Sequence, residues 1–449
     1  MQGFNGAGVR MPLSPSSVRI GTDCSGAEAP IWALRLMHVP FTHVFSCDIQ
    51  SKVRDFIRAT SPPSGPIFVD MLKRDKSELP AFNVYVCGFP CNPYSMLRRH
   101  ATKLLQEQAA KPYRKMLTVL NDRKPALAIL ENVAGLKVVM SKILSDLEKL
   151  RSYHILVLPL DPVDVGDPVR RQRFYFVLVR KDIAMAGVDE MAAIGRKMCL
   201  AVRRGLDRRL SEALLPTHHP HVKEFLTRSR AKLSARRAGV QMSTKASKWP
   251  SLHAQYRQAV KLPPGGGSAP AADKMCLVAP RVRDAWQILT DAHPQENIVS
   301  DLSQNLGRCP TTTDGTCPTV TPGSIIAVKE LGRCVTPLEK LLLASFPIHM
   351  MPIPKTTQDS TLADLGGNTM HLKSVGLALC VGFAMVDWTA PASAATCTPP
   401  PVDATLSKAV WLFDDFGLKH DSAPQQKRAA SCSIGRAQVG KAMKHKTAT

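Results

Sequence analysis

The sequence predicts an α/β protein built on a mostly parallel, doubly wound sheet. Between residues 17 and 180, short apolar runs alternate with stretches of helical periodicity. Such alternation is typical of sheets whose parallel strands are joined by crossover helices. Hydrophobic residues make up 44% of the 449 residues, which is enough for a large buried core.

Seven apolar runs in this region are predicted as strands, because each is short and is bounded by polar, Gly or Pro residues. Helical spacing between them, as in Val53, Phe56 and Ile57, predicts the connecting helices. Further along, residues 336–339 read Thr-Pro-Leu-Glu, a pattern in which Thr and Glu cap each other at the start of a helix. The predicted strands are Val18–Ile20, His43–Cys47, Ile67–Val69, Val84–Cys87, Leu127–Leu130, His154–Leu158 and Phe174–Val179.

Composition divides the rest of the chain. Residues 1–17 are rich in Gly, Pro and Ser and are predicted to be flexible, whereas 18–181 and 317–388 are predicted to form one folded unit around the sheet. Residues 182–316 are predicted as an inserted region that carries a basic stretch at 194–260, with fifteen lysines and arginines against three acids, and a Pro/Gly/Ala linker at 262–273. Residues 389–449 are predicted to be a disordered tail.

The charge of the chain indicates a polyanionic partner. Its formal net charge is +23, from 59 Lys and Arg against 36 Asp and Glu, and such an excess most often serves nucleic-acid binding. The alternative is a basic protein without such a partner.

Compartment and metal content are predicted from what the sequence lacks. No apolar run reaches the roughly 18 residues that span a membrane, and no signal peptide is recognised. The twelve cysteines do not follow metal-site spacing, so we expect reduced thiols and no metal. An intracellular protein is expected, in the nucleus if eukaryotic and otherwise in the cytoplasm.

Polar residues follow four of the predicted strands at the point where each ends. These residues are Asp48, Asp70, Cys91 and Glu131. Because the carboxyl ends of parallel strands meet at one edge of a sheet, we expect the four side chains to line one cleft. An acid after the second strand suits a ribose diol, an acid after the third suits an adenine amine, and the turn at residues 23–28 suits a nucleotide-like cofactor. Cysteine and glutamate at the remaining exits can form a nucleophile and proton-donor pair.

The order of motifs around these exits resembles that of the DNA (cytosine-5) methyltransferases along nearly all of residues 18–388. A long variable insert separates the third motif from the fourth, as in that family. The matching segments are Gly88–Ser95 with its Pro-Cys pair, Glu131-Asn132-Val133, Gly166–Phe174, the two pieces Pro318–Thr321 and Arg333–Glu339, and Gly367-Asn368.

This resemblance implies a Rossmann-like fold of the S-adenosylmethionine-dependent methyltransferases, with a smaller inserted target-recognition domain. It implies methyl transfer from S-adenosylmethionine to C5 of cytosine in DNA, on a base flipped out of the duplex. Cys91 is expected to add to C6 of the base, and Glu131 to hydrogen-bond N3 and the exocyclic amine. Arg171 and Arg173 are expected to hold the base carbonyl and to support the cysteine loop.

The resemblance also implies the cofactor contacts, although the first motif departs from the family pattern. Cys24 stands where an aromatic residue is usual, Glu28 replaces a glycine, and Asp48 replaces a glutamate. We expect Glu28 either to pair with the positive groups of the cofactor or to crowd the turn. The expected cofactor-binding residues are Asp23, Cys24, Ser25, Gly26, Ala27, Asp48, Ile49, Asp70, Met71, Gly88, Pro90 and Asn368.

Two other functions fit parts of the same sequence. One is an RNA cytosine methyltransferase on this fold, which is less favoured because the Cys-Phe-Thr signature of the tRNA branch is missing from the recognition region. The other is a non-catalytic, basic nucleic-acid-binding relative. The altered first motif favours this second alternative, whereas the intact pair of Cys91 and Glu131 speaks against it.

Overall fold

The computed structural model describes residues 18–90, 110–203, 205–206, 208–238, 249–263, 275, 277, 279–389 and 408–413. The predicted flexible segment 1–17 and most of the predicted linker 262–273 lie outside the described residues. None of the helices in this described part of the chain is long and apolar enough to cross a membrane.

An eight-stranded sheet lies at the centre of the molecule, and it confirms the predicted α/β fold class. The order across the sheet is β12-β6-β7-β5-β4-β1-β2-β3, and β7 runs antiparallel to both neighbours while the other pairs are parallel. All seven predicted strands are present, with ends shifted by a few residues. The strands are β1 (Arg19–Asp23), β2 (Thr42–Cys47), β3 (Ile67–Phe68), β4 (Val84–Cys87), β5 (Leu127–Val133), β6 (Tyr153–Leu160), β7 (Arg173–Arg180) and β12 (Val410–Trp411).

Helices cover both faces of this sheet and build most of the inserted region. In chain order the α-helices are α1 (Ala29–Leu36), α2 (Ser51–Thr60), α3 (Lys111–Arg123), α4 (Met140–Glu148), α5 (Val188–Val202), α6 (Leu210–Ala213), α7 (Pro220–Ala238), α8 (Trp249–Ala259), α9 (Pro280–Ala292), α10 (Glu339–Leu343), α11 (Asp359–Asn368) and α12 (Leu372–Phe383). Short 3₁₀ helices lie at Lys76–Glu78, Ala134–Val139, Pro162–Asp164, Lys181–Ile183 and Leu306–Arg308.

The core consists of two apolar layers, one on each face of the sheet. Alternate residues of β5 divide between them: Ile129 packs with α1 and α12, and Ala128 packs with α3 and α4. Every residue of α12 except Lys373 is buried. This helix lies so close to β5 that a Cβ on Gly382 would be 2.4 Å from Leu127 Cδ1. The sheet is therefore buried on both faces, as its continuous apolar strands predict.

The inserted region has its own small sheet, with strand order β11-β10-β8-β9. Its strands are β8 (Val299–Asp301), β9 (Thr311–Thr312), β10 (Ile326–Val328) and β11 (Arg333–Cys334), and every pair is antiparallel. This sheet extends past residue 316, the predicted end of the insert. At the other end, α5 packs into the core of the central sheet through Met191 and Ala192, although it falls within the predicted insert. The boundaries at 182 and 316 stay a prediction.

Part of the predicted tail is an ordered strand, which corrects the prediction of disorder for residues 408–413. Val410 and Trp411 pair in parallel with Leu156 and Val157 of β6. Leu412 is 1% exposed, and the Trp411 ring packs edge-on against Phe174 at 5.7 Å. The segment was missed because two apolar residues within a Pro- and Lys-rich context give no strand periodicity. Apart from Thr389, the rest of 389–449 lies outside the described residues.

The predicted capping box at residues 336–339 is confirmed at the start of α10. The Thr336 N–H donates to Glu339 Oε2 at 2.8 Å, and the Glu339 N–H donates to Thr336 Oγ1 at 3.2 Å. Glu339 also forms a buried ion pair with Arg333 at 2.8 Å. This short helix therefore joins the small sheet to the central core.

Candidate active site

The turn between β1 and α1 is held against the end of β2. Cys24, Gly26 and Glu28 have φ angles of 53°, 53° and 59°, in the left-handed region that favours glycine. The Gly26 N–H donates to Asp48 Oδ2 at 3.1 Å. Burial raises the pKa of Asp48, and its hydrogen bonds from the Gln50 and Gly26 N–H groups oppose that rise. Asp48 thus stands at the predicted strand exit with a defined orientation.

The side chains of Ser25 and Ala27 face the protein interior, although both residues are predicted to contact the cofactor. Ala27 is fully buried, and the Ser25 hydroxyl lies 3.0 Å from the Cys47 N–H, from which it accepts a hydrogen bond. Any contact of these two residues with a ligand is therefore through the backbone.

An open cavity of about 290 Å³ lies where β2 and β3 end. Ile49 and Val69 are 72% and 56% exposed there. Large apolar side chains are more often buried. Asp70 lies between them in the lining and orients its own turn, since the Leu72 N–H donates to Asp70 Oδ1 at 2.9 Å. This is the position at which the sequence predicts adenine binding. The lining residues are Ile49, Phe68, Val69, Asp70, Lys73 and Arg74.

Asp23 is enclosed by other side chains and does not reach this cavity itself. Arg74 Nη1 and Nη2 donate to its two carboxylate oxygens at 2.8 Å each, and the Tyr85 hydroxyl donates at 2.7 Å. Arg74 in turn lies over the Phe68 ring at 4.8 Å. Asp23 therefore orients Arg74, which lines the cavity, instead of touching a ligand directly.

Met71 and Cys24 are neighbours in the structure, and their contact with the cofactor stays a prediction. Met71 Sδ lies 4.0 Å from Cys24 Sγ. Met71 is only 4% exposed, whereas Cys24 is partly exposed. The pKa of the Cys24 thiol is raised, first by a hydrogen bond with Cys87 and then by burial. Cys24 is thus a poorly ionised thiol that packs against the apolar cluster containing Met71.

Glu131, near the end of β5, and Arg173, at the start of β7, form an ion pair with Oε1 and Nε 2.9 Å apart. Both side chains are largely buried, at 12% and 11% exposure. Burial raises the pKa of Glu131, whereas the guanidinium groups of Arg173 and Arg171 oppose that rise. A Cβ on Gly88 would lie 3.4 Å from Glu131 Oε2 and 2.9 Å from the Met370 methyl group, so a larger residue here would require the Met370 side chain to shift.

The loop that enters the Pro-Cys motif is anchored to the strand that carries Glu131. Asn132 Nδ2 donates to the Phe89 carbonyl at 3.0 Å, and Phe89 is buried against Tyr113. Pro90 is partly exposed at the end of this described stretch. Cys91, the predicted nucleophile, is the next residue in the chain and lies outside the described residues.

Arg171 contacts backbone carbonyls of two other segments of the chain, and its contact with the base carbonyl stays a prediction. Its Nη1 donates to Val320 at 2.9 Å, and its Nη2 donates to Gly367 at 3.2 Å and to Thr369 at 2.7 Å. The side chain is 5% exposed. Arg171 thus connects the segment that leads into β7 with the segment around 320 and the end of α11, whereas Arg173 forms the ion pair with Glu131.

The last motif lies beside the first turn. Thr369 Cα lies 3.8 Å from the position of a Cβ on Gly26. Asn368 is exposed at the end of α11. A Cβ on Gly367 would lie 2.1 Å from Pro322 N, so this glycine allows α11 to approach the 320 segment closely. The cleft is thus bounded by both ends of the matched region.

Three residues at this site were not predicted: Arg74, Asn132 and Thr369. Thr369 Oγ1 is buried and has no hydrogen-bond partner among the described residues, and it lies 3.9 Å from the position of a Gly26 Cβ. Asn132 stands in the Glu-Asn-Val motif, and its proximity to Glu131 could have indicated a loop anchor. Arg74 has no signal in sequence, because its partner Asp23 is 51 residues away.

Comparison with known proteins agrees with the motif analysis. Residues 24–370 match the model of the family described as C-5 cytosine-specific DNA methylase. The chain is similar to the DNA (cytosine-5-)-methyltransferase DMT5 of Cryptococcus neoformans, with 24% identity over 82% of this chain and 17% of that protein. It is also similar to the type II methyltransferase M.BbvI of Brevibacillus brevis, with 29% identity over 32% of this chain and 41% of that enzyme.

The chain spans less than half the length of each of these relatives. Among solved structures, S. pombe Dnmt2 methyltransferase aligns with a TM-score of 0.48 and 13% identity, over 81% of this chain and 97% of that one.

Proposed function

Because this chain belongs to the family of C-5 cytosine-specific DNA methylases, we propose that it transfers a methyl group from S-adenosylmethionine to carbon 5 of cytosine in DNA. The family assignment made from the motifs is confirmed. C-5 methyltransferases of this fold use S-adenosylmethionine as the methyl donor. We propose the activity and the substrate of the protein from the geometry of its own site.

The observation that carries this proposal is the placement of Glu131 between Arg173 and the loop that leads into Cys91. Arg173 restrains one oxygen of Glu131, and Gly88 leaves the other oxygen uncrowded. Asn132 fixes the last turn before the Pro-Cys pair. A cytosine placed here would meet a nucleophile and a proton donor, which are the two groups that C5 methylation requires.

The proposed reaction starts with the thiolate of Cys91, which forms a bond to C6 of the flipped cytosine. The electrons of the C5–C6 double bond then attack the methyl carbon, and the donor leaves as S-adenosylhomocysteine. A base removes the proton from C5, the bond between sulfur and C6 breaks, and the electrons restore the double bond and the thiolate.

Glu131 would stabilise the charge that builds up on the base during thiolate addition. A protonated carboxyl group can donate to N3 of cytosine, and the raised pKa of Glu131 increases the protonated fraction. Arg173 limits this rise and prevents the side chain from rotating away. Arg173 therefore fixes the direction of the Glu131 carboxyl group at the cleft.

The described residues fit S-adenosylmethionine at the other end of the cleft. Asp48 would accept from the ribose hydroxyls, and the cavity beside Ile49 and Asp70 would hold the adenine. The unpartnered Thr369 hydroxyl and the Gly26 turn would face the methionine part. When bound, the cofactor supplies an electrophilic methyl group.

The insert would contact DNA through the exposed cations of helix α7. Helix α7 has exposed Lys223, Arg230 and Lys232, whereas Arg228 is paired with Glu224 and Asp359 at 2.8 Å each. Exposed cations on one helix supply phosphate contacts that position a duplex without reading its sequence.

Transfer of a radiolabelled methyl group to cytosine-rich DNA tests the proposed function. We expect incorporation into duplex DNA that nuclease digestion assigns to 5-methylcytosine. Equal transfer to matched RNA would favour the RNA methyltransferase alternative, and binding of DNA without transfer to either polymer would favour the non-catalytic one.

A further inference from the structure

Glu28 is buried within the protein, although it is part of the turn expected to face the cofactor. Its side chain is 0% exposed, and its backbone is left-handed, with a φ of 59°. An L-residue with a side chain is strained in this conformation, whereas glycine is not. The bonds made by the Glu28 side chain must offset this strain.

The Glu28 carboxyl group joins hydroxyl groups from two strands. Its Oε1 accepts from Thr22 Oγ1 of β1 at 2.8 Å and from Ser46 Oγ of β2 at 2.6 Å. Thr22 Oγ1 is also 2.7 Å from Ser25 Oγ, which accepts from the Cys47 N–H. This hydrogen-bonded network connects the turn to the last residues of β2.

The network is largely neutral near pH 7. Burial raises the pKa of Glu28 to about 8 and lowers that of His43 to about 4. His43 Nε2 lies 3.6 Å from Glu28 Oε1, and the charged groups that act on this pair from α1 and from the end of β2 are Arg35 and Asp48. Because Glu28 is 0% exposed, its carboxyl group does not face the cleft in which the positive groups of the cofactor would lie.

The network ends next to the residue that would bind the ribose. Asp48 follows Cys47 directly, and it accepts from the Gly26 N–H two residues before Glu28. The bonds of Glu28 to Thr22 and Ser46 therefore set the distance between the Gly26 turn and Asp48.

We propose that Glu28 is a positioning residue for the cofactor: its hydrogen bonds to Thr22 and Ser46 lock the β1–α1 turn onto the end of β2. The proposal rests on the proposed function, since S-adenosylmethionine is taken to bind at this turn. In the family pattern a glycine adopts the left-handed backbone of this turn without strain. In this chain Glu28 adopts it, and its hydrogen bonds stabilise the turn.

Calorimetry with S-adenosylhomocysteine tests this role on the full chain. Glu28→Gly removes both the strain and the bonds, and we expect it to weaken binding about tenfold, as the loss of one or two net hydrogen bonds predicts. Glu28→Gln keeps an oxygen acceptor and should bind within about threefold of the natural protein. In methylation assays Glu28→Gly should raise KM for the cofactor more than it lowers kcat.

Lys124→Gly is the matched control, because Lys124 also has a left-handed backbone, with a φ of 42°, at the end of α3. This variant should bind the cofactor as the natural protein does. Equal or tighter binding by Glu28→Gly would overturn the proposal, since strain relief would then outweigh the network.

Hydrogen–deuterium exchange of the free protein separates this proposal from the proposed function. Glu28→Gly should speed exchange at the amides of Gly26 and Cys47 about tenfold, and Glu28→Gln should not. If the natural protein fails to bind S-adenosylhomocysteine, the proposed function fails, and unchanged exchange in Glu28→Gly would independently exclude the locking role.

Discussion

Glu131 of β5 and Arg173 of β7 lie on one face of two antiparallel strands, with Oε1 and Nε 2.9 Å apart. Arg173 pairs in register with Val133, two residues beyond Glu131, so the ion pair is diagonal across the ladder. Side chains two residues apart on a strand share a face. The sheet itself therefore sets the direction of the carboxyl group at the cleft.

Glu131→Gln tests whether this carboxyl group activates the base. The amide keeps the shape but cannot transfer a proton, so we expect a loss of about 10² to 10⁴-fold in the single-turnover methylation rate. The control is Glu190→Gln on the exposed surface of α5, which should leave the rate unchanged. A change below about tenfold in Glu131→Gln would show that another group activates the base.

The buried Glu28 predicts a pH dependence of stability. Its pKa is about 8 in the folded protein and about 4.3 in an unfolded chain. Between these values the folded state retains a proton that the unfolded state has lost, so stability falls as pH rises through this window and levels off above about 8. Denaturant unfolding at several pH values should show this decline in the natural protein relative to Glu28→Gln. Parallel curves for the two proteins would contradict it.

Helix α7 predicts a salt-dependent affinity for DNA. Replacing Lys223, Arg230 and Lys232 by Gln should weaken binding and flatten the slope of log affinity against log salt by about one unit for each DNA phosphate that is no longer neutralised. Arg228 is left intact because it pairs with Glu224 and Asp359. An unchanged slope would place the DNA elsewhere.

The control for this experiment removes the same charge from the surface around the central sheet. Arg58, Lys76 and Lys149 are exposed there, and their replacement by Gln should change the slope much less. An equal effect of both triple variants would indicate a general charge effect without a defined DNA-binding face.

The strand β12 predicts that residues 408–413 contribute to the stability of the core. Leu412 is 1% exposed, and a Cβ on Gly195 of α5 would lie 3.0 Å from its Cδ1. Leu412→Ala should lower the free energy of unfolding by about 2 to 5 kcal/mol, as buried Leu→Ala changes do. Leu200→Ala, at a position 53% exposed on α5, is the control and should have little effect. Equal values for both variants would mean that β12 is not docked in solution.

The central sheet could be predicted from sequence because its strands are buried on both faces and therefore read as continuous apolar runs. The positions of Asp48, Asp70 and Glu131 follow from the strand prediction, because each residue comes directly after a predicted strand. The two-residue strand β12 could not be predicted, because its stability comes from packing against β6 and Phe174 and not from local propensity.

The sequence did not predict the directions in which individual side chains of the site point. Asp23 turns to Arg74, Arg171 turns to backbone carbonyls, and Glu28 turns inward to Thr22 and Ser46. Each orientation depends on partners contributed by other segments of the chain. A motif therefore identified the segments that form the cleft but not which side chains line it.

Covalent trapping on DNA that contains 5-fluorocytosine tests the central claim most directly. Fluorine at C5 blocks the final proton removal, so we expect a stable protein–DNA adduct that forms only with S-adenosylmethionine and that mass spectrometry assigns to Cys91. Cys91→Ser should bind the same DNA and form no adduct. Absence of an adduct from a protein that binds both cofactor and DNA, or an adduct on Cys87, would contradict the proposed mechanism.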